Sequence, residues 1–395
     1  MRVLSVTAQK PCSTGSGVYL TEVVRSLAKM GVSQAVVAGV TREDRVDMPE
    51  GVTVYPVYFS SEKLPYPVVG MSDEMPYTST RYRDMTEEMA GQFKAAFLEV
   101  LDEAIEKENP DIILCHHLYY LTALIRAHYP AKKVYGFCHN TDLRQMESIS
   151  FEKNFIRQEI PKLDRIFALQ EAQKEKIKKI YPVSEKQMTV IGTGYNSEVF
   201  KKTGIKSSRK DGKIRMIFAG KITQKKGVKS LLRALNLLDY EKEKIQLILA
   251  GGAGNLVDEE IKELADGCRY PVVFAGCVTQ SRLAELYNDC DIFVLPSMYE
   301  GLPLTVIESL ACGDRVVMTK LEGIAEWLAD MVPDADIRYV LPPGMKGTDE
   351  PLEEELPEFE SRLAEALREA IEEKDTKECD VSRISWQKIA REVIR

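Results

Sequence analysis

Glu300 and Glu308 stand eight positions apart in the stretch MYEGLPLTVIESLACG (298–313), on either side of Gly-Leu-Pro and the start of a helical run. A carboxylate suits a vicinal diol, because its two oxygens accept from two adjacent hydroxyls. Proline lacks the N–H that a helix start leaves unpaired, so the helix is expected to begin near Pro303 or Leu304. The first-turn amides of Leu304 and Thr305 then suit a phosphate. Glu300 falls in the loop before that turn, and Glu308 projects from the same end one turn deeper. An acid for a ribose, amides for phosphates and an acid for a second sugar outline a nucleotide-diphosphate sugar. The same spacing also fits one capping acid and one surface acid.

Cations stand at a second point. In FAGKITQKKGVKSLLRAL, Lys221 follows a strand and Lys226 precedes the helix-opening Gly227. Two lysines at a strand's carboxyl end can neutralise a diphosphate as point charges; Lys225 and Lys229 read as solvated neighbours. A third point is the turn AQKPCSTGSGVYL, where Gly15 and Gly17 allow close backbone approach at the start of a helix. It lacks the G-x-G-x-x-G fingerprint, since position 20 is Leu, and a tight strand-to-helix connection explains it equally well. His139 ends the strand KVYGFCH, at the edge where open α/β sheets place their sites. His116 and His117 end a neighbouring strand; they and His128 read as structural or surface residues. No acid or cysteine set with zinc spacing accompanies them, so no metal site is expected.

These residues need a scaffold, and the chain supplies it twice. Apolar runs of strand length at 2–8, 35–39, 52–58, 111–116, 133–139, 165–169 and 188–192 alternate with amphipathic helical segments such as 16–30, 86–107 and 170–180. Continuous apolar strands alternating with helices indicate parallel sheets covered on both faces. The stretch KKTGIKSSRKDGK reads as a linker over 201–213. The alternation restarts at 214–220 and continues through 245–252, 272–276, 291–297 and 315–319. The expectation is an α/β chain of two Rossmann-like doubly wound domains, 1–200 and 214–380. Two segments fall outside the pattern. Residues 349–374 read as an acidic helix packed on its own domain. The aromatic-rich segment 60–84 is long for a loop and is a candidate substrate-binding loop.

Composition bounds the functions. With 395 residues the chain suits two domains, and a formal net charge of −8 argues against a general nucleic-acid binder. Eight cysteines contain no C-x-x-C pair, and the opening MRVLSVTAQK is too short an apolar stretch for a signal peptide. No apolar run approaches the roughly 18–20 residues of a membrane span, so membrane association is not indicated and a reducing cytoplasm is the simplest compartment.

The whole pattern resembles family 4 of the retaining glycosyltransferases. The E-x7-E signature of that family fits Glu300 to Glu308, followed by SLACGDRVV. FAGKITQKKG, LAGG (249–252) and the run 274–304 are similar to its other blocks, in the same order, as are TGSGVYL (14–20), HNTDLRQ (139–145) and VIGTGYNSEVF (190–200). The resemblance implies the GT-B fold of two facing Rossmann-like domains, with a C-terminal helix over 381–395 that crosses back to the N-terminal, acceptor-side domain. It also implies the site. Glu308 would hold the nucleotide ribose and Glu300 the donor-sugar hydroxyls. Lys221 and Lys226 would bind the diphosphate, helped by amides at Gly15–Val18 and around Leu304–Thr305. His139 would contact the donor sugar or acceptor near the anomeric centre, with Asp142 and Arg144 as weaker acceptor-side candidates. Two positions depart from the pattern: Lys221 stands where the family usually has Arg, and Asn196 where it usually has Asp.

The resulting expectation is a metal-independent, retaining hexosyl transfer from a nucleotide-diphosphate sugar to the hydroxyl of a sugar, lipid or small-molecule acceptor, without a further cofactor. Lysines and helix-start amides would stabilise the leaving diphosphate. Two other readings stay open. Against a non-catalytic nucleotide-sugar binder of the same fold stand Glu300, Glu308, both lysines and His139, while Lys221 in place of the usual Arg keeps it open. A nicotinamide- or flavin-dependent oxidoreductase would explain two Rossmann units but leaves Glu300 without work.

Overall fold

In the first strand, β1 (Arg2–Thr7), every residue after Arg2 is buried, as a parallel strand covered on both faces requires. A computed structural model describes residues 1–395 except 12–13, 74, 205, 207–210, 253–257, 348–349 and 374–378. Parts of the glycine-rich turn, of the 60–84 segment, of the linker and of the acidic helix as expected from the sequence lie outside the described residues.

The chain divides into two units: Met1–Gly194 with Trp386–Arg395, and Tyr195–Ser385. In unit 1, β1 is joined by β2 (Ser33–Val40), β3 (Thr53–Tyr58), β4 (Ile112–His116), β5 (Lys133–Phe137), β6 (Arg165–Ala168) and β7 (Met188–Val190). Their order is β3-β2-β1-β4-β5-β6-β7, with every pair parallel. The order reverses between β1 and β4, so the crevice that such sheets offer to a ligand lies at the ends of Thr7 and His116. Helix α1 (Gly15–Lys29) starts there, and its buried Leu20, Val23, Val24 and Leu27 lie on its sheet side. The 60–84 segment is not a free loop. It carries a two-residue parallel ladder, Val69–Gly70 with Thr80–Arg81, and buries Tyr66, Val68, Met71 and Tyr82 in the unit 1 core. Its aromatic content serves packing, which corrects the substrate-loop expectation.

The last helix of unit 1 comes from far along the chain. Residues Trp386–Val393 bury Trp386, Ile389, Ala390 and Val393, one stripe at helical spacing. Arg165 Nη1 donates to the Glu392 carbonyl at 3.0 Å, and Trp386 meets the Tyr19 ring edge-on at 4.9 Å.

Unit 2 repeats the plan with β8 (Ile214–Ala219), β9 (Ile245–Ala250), β10 (Val272–Gly276), β11 (Ile292–Leu295), β12 (Arg315–Thr319) and β13 (Ile337–Val340). The order is β10-β9-β8-β11-β12-β13, again all parallel, with the reversal between β8 and β11. β13, Ile-Arg-Tyr-Val, is only partly buried and reads as no apolar run, so sequence periodicity misses it. The acidic helix runs from Leu356 to Glu372 and buries Leu356, Phe359, Leu363 and Leu367 against its own unit. The chain enters unit 2 through Phe200, whose ring is 6.1 Å from Tyr287, and Thr203, whose N–H donates to Asn288 Oδ1 at 2.8 Å. Residues 200–203 therefore belong to this unit's packing, and the division falls at Gly194 rather than after Phe200. The departure at Asn196 has a local use: its side-chain oxygen accepts from Glu198 N–H at 3.2 Å.

Candidate functional site

The carboxyl edge of unit 2 is built from glycine turns and charge. After β8, Gly220 N–H donates to the Ala250 carbonyl at 3.0 Å, and Gly251 N–H to the Gly276 carbonyl at 2.8 Å. The strand ends are thus drawn so close that a Cβ on Gly251 would lie 1.9 Å from the Gly220 carbonyl oxygen. The chain then passes Lys221 and forms a single 3-10 turn, Gln224–Lys226. Gly227 (φ 72°) follows in the left-handed region, where a Cβ would lie 2.0 Å from the Pro296 carbonyl oxygen. Only glycine fits, and that fit brings the lysine turn against the loop after β11.

There two of the expected residues meet. Lys226 Nζ lies 2.7 Å from Glu300 Oε1 and 3.4 Å from the Tyr299 carbonyl. The pair is partly open, with side chains 25% and 15% exposed, so it adds at most about 1 kcal/mol to stability. Its consequence is placement: a cation and an acid are held together at the reversal point of the sheet. Helix α2 (Leu304–Ala311) begins four residues after Glu300, with Pro303 as its N-cap rather than inside the first turn. Leu304 and Thr305 open the helix and are half-buried, while Glu308 is 6% exposed on the buried side of the same helix. Lys221 is half-buried at the end of β8.

The carboxyl edge of unit 1 is different in kind. His139, partly exposed, follows β5; His116 and His117, each 4% exposed, end β4. His116 Nδ1 lies 3.1 Å from His139 Nε2, the two rings stack with centroids 5.3 Å apart, and His117 tilts against His139 at 4.9 Å. Tyr19 of α1 closes the cluster edge-on to His139 at 5.2 Å, and its hydroxyl donates to the Gly192 carbonyl at 3.1 Å. Burial first, and then the His117 imidazole, pushes His116 down to about 3. Burial and the two neighbouring imidazoles hold His139 well below the usual histidine range. All three rings are therefore neutral near pH 7. The backbone is strained at both turns, since His117 (φ 77°) and Asn140 (φ 73°) are non-glycine residues in the left-handed region.

Two expectations need correction. Asp142 is fully buried, and its carboxylate accepts from Leu118 N–H at 2.7 Å, Leu143 N–H at 3.1 Å and His139 N–H at 3.3 Å. It ties the β4 and β5 turns together and does not face an acceptor. Gly17 and Val18 do not offer their amides: Gly17 N–H donates to Thr14 Oγ1 at 3.1 Å and Val18 N–H to the Thr14 carbonyl at 2.8 Å, as a helix cap prescribes. Among the described residues of that turn only Gly15 is exposed, with nothing within 4 Å of a Cβ built on it. His116 and His117 are buried structural residues, and both pack against His139; their adjacency at the end of one strand was the available signal of that cluster. His128 is a surface residue, 3.5 Å from Asp102. Arg144 lies 3.6 Å from Asp73 and is largely covered. Among the described residues no group of three or more His, Cys, Asp or Glu could hold a metal ion.

Comparison with known proteins bears on both units. Residues 13–199 match the family model of Glycosyltransferase Family 4, and residues 200–378 that of Glycosyl transferases group 1. An uncharacterized glycosyltransferase of Methanocaldococcus jannaschii is 29% identical over 173 residues, 41% of this chain and 44% of that protein. The chain thus spans less than half the length of that relative. D-inositol 3-phosphate glycosyltransferase 2 of Catenulispora acidiphila is 25% identical over 347 residues, 80% of this chain and 76% of that one. Among solved structures, Anabaena HepE in complex with UDP superposes with a TM-score of 0.65 at 16% identity, covering 100% of this chain and 98% of that one. At this identity the likeness is one of fold.

Proposed function

The chain belongs to the group 1 glycosyltransferases, and from that premise we propose that it moves a hexosyl unit from a nucleoside-diphosphate sugar to an acceptor hydroxyl with retention of configuration and without a metal ion. The observation that carries this reading is the 2.7 Å contact of Lys226 with Glu300 at the sheet reversal of unit 2, eight residues before the buried Glu308. The UDP held by Anabaena HepE supports the donor class.

Each residue then has one task. Glu308 accepts from the ribose hydroxyls and Glu300 from hydroxyls of the transferred sugar. Lys226 and Lys221 face the diphosphate, on which negative charge accumulates as the glycosidic bond breaks through an oxocarbenium-like state. The amides that open α2 add donors to the same phosphates. The departing phosphate oxygen takes the proton of the acceptor hydroxyl, which attacks the face it leaves. His139 touches a sugar or acceptor oxygen beside the anomeric carbon.

The test is ligand-induced thermal stabilisation by UDP, GDP and ADP and their sugar conjugates, with NAD and FAD as controls. A nucleotide at a hundred times its Kd stabilises by about 2.7 kcal/mol. One nucleoside diphosphate and its sugar are expected to stabilise the protein, and Glu308→Ala to weaken that binding roughly tenfold to hundredfold, the range of a hydrogen bond to a charged group. Stabilisation by NAD or FAD alone would overturn the reading.

A further inference from the structure

His116 is buried, stacked between Phe137 at 4.8 Å and His139 at 5.3 Å, and its Nδ1 lies 3.1 Å from His139 Nε2. Its other nitrogen, Nε2, is buried without a hydrogen-bond partner. A neutral imidazole carries one N–H donor and one bare acceptor nitrogen, so two neutral rings bonded in this way have only two arrangements. If His139 donates from Nε2, the His116 proton must sit on its own Nε2, an N–H with nothing to receive it. If His116 donates from Nδ1, only an unshared lone pair is left at that buried position. Orphaned buried N–H groups are rarer in proteins than under-satisfied acceptors.

We propose that His116 is a positioning residue that donates from Nδ1 to His139 Nε2 and so fixes the His139 proton on Nδ1. Two further contacts hold the ring for this purpose. Tyr19 meets His139 edge-on, and Asp142 accepts from its backbone N–H. The nitrogen that His139 presents to a ligand is then Nδ1–H. It is a hydrogen-bond donor to a sugar or acceptor oxygen and not a base that removes a proton. This last step rests on the glycosyl-transfer reading; the tautomer does not.

Long-range ¹H–¹⁵N correlation spectra of ring-labelled histidine report each tautomer directly. In the wild-type protein at neutral pH, His116 and His139 are both expected as single Nδ1–H tautomers. His116→Phe keeps the aromatic stack and removes the donor, so His139 becomes a mixture of tautomers. His116→Asn places an amide N–H near the same position and restores the single state. A wild-type His139 protonated on Nε2 or already mixed, or one unchanged in His116→Phe, overturns the inference. With a donor identified, His116→Phe is expected to lower kcat roughly fivefold to tenfold, the worth of one neutral hydrogen bond, and to leave nucleotide Kd unchanged. His116→Asn recovers most of that loss. A protein that transfers no sugar but shows the fixed tautomer refutes the proposed function alone; an active enzyme with a mixed His139 refutes this inference alone.

Discussion

The two units share one strand order yet furnish the same sheet edge with opposite chemistry. Unit 2 lines it with glycine turns and a partly open cation–carboxylate pair, Gly227, Gly251, Lys226 and Glu300. Unit 1 lines it with three neutral imidazoles wrapped in Tyr19 and Phe137, and strains two non-glycine residues to do so. The difference follows from what each edge can hold. Glycine turns let an anion approach the backbone, and lysines meet its charge at little desolvation cost. Desolvated imidazoles cannot hold a charge, but they can present fixed hydrogen-bond donors and acceptors to neutral hydroxyls.

Three measurements would break or sharpen that contrast. The largest effect is expected from Lys226→Met, which removes the cation from the leaving diphosphate and should lower kcat by about a hundredfold to a thousandfold, as loss of one electrostatic group commonly does. A change below threefold, read by steady-state transfer to water or to an acceptor, would detach the charge of unit 2 from the chemistry. Next, Gly227→Ala drives a Cβ into the Pro296 carbonyl and forces a left-handed alanine. It should cost about 3 kcal/mol or more, and unit 2 should unfold at lower denaturant while unit 1 does not move. Trp327 and Trp386 lie one in each unit, so removing either by Trp→Phe leaves the other as that unit's fluorescence reporter.

The third is acid. Burial holds the folded-state pKa of His116 at about 3, below its unfolded value, so between the two the unfolded chain binds the extra proton. Stability from this group is complete above about pH 6.5 and declines as pH falls, by up to about 1.4 kcal/mol per pH unit per histidine. Asp314 in unit 2 has the opposite sign. Burial raises it to about 7 against the pull of Lys206, so the folded state keeps its proton and the contribution is full in acid and fades as pH rises towards that value. Lowering pH from about 7 to about 5 should therefore shift the Trp386 transition to lower denaturant much more than the Trp327 transition. Equal shifts would mean that the imidazole cluster is not buried as neutral rings in solution.

How far the sequence could be read divides along the same line. Strands such as 214–219 and 245–250, and the Lys226, Glu300 and Glu308 positions, were legible because local period and short spacing report them. The His116–His139 bond joins residues 23 apart in sequence on neighbouring strands, and no local pattern encodes it. The Asp142 carboxylate looked available on a turn, but backbone donors from two strand ends consume it. The Thr14 cap takes the amide that the turn was expected to offer at Gly17. The 60–84 segment misled through its prolines, which punctuate loops in sequence, while its Tyr66 and Tyr82 fill a core.

The helix Trp386–Val393 completes unit 1, and a ribosome delivers it only after residues 195–385. Multi-domain chains generally fold in the order they are made, the N-terminal domain first. Here Tyr195–Ser385 is synthesised whole while the earlier unit still lacks the side chain that covers Gly194 and Tyr19. The order in which the two units receive their last described residues is therefore inverted on the nascent chain. Tyr19, which closes the imidazole edge, waits for Trp386 to cover it.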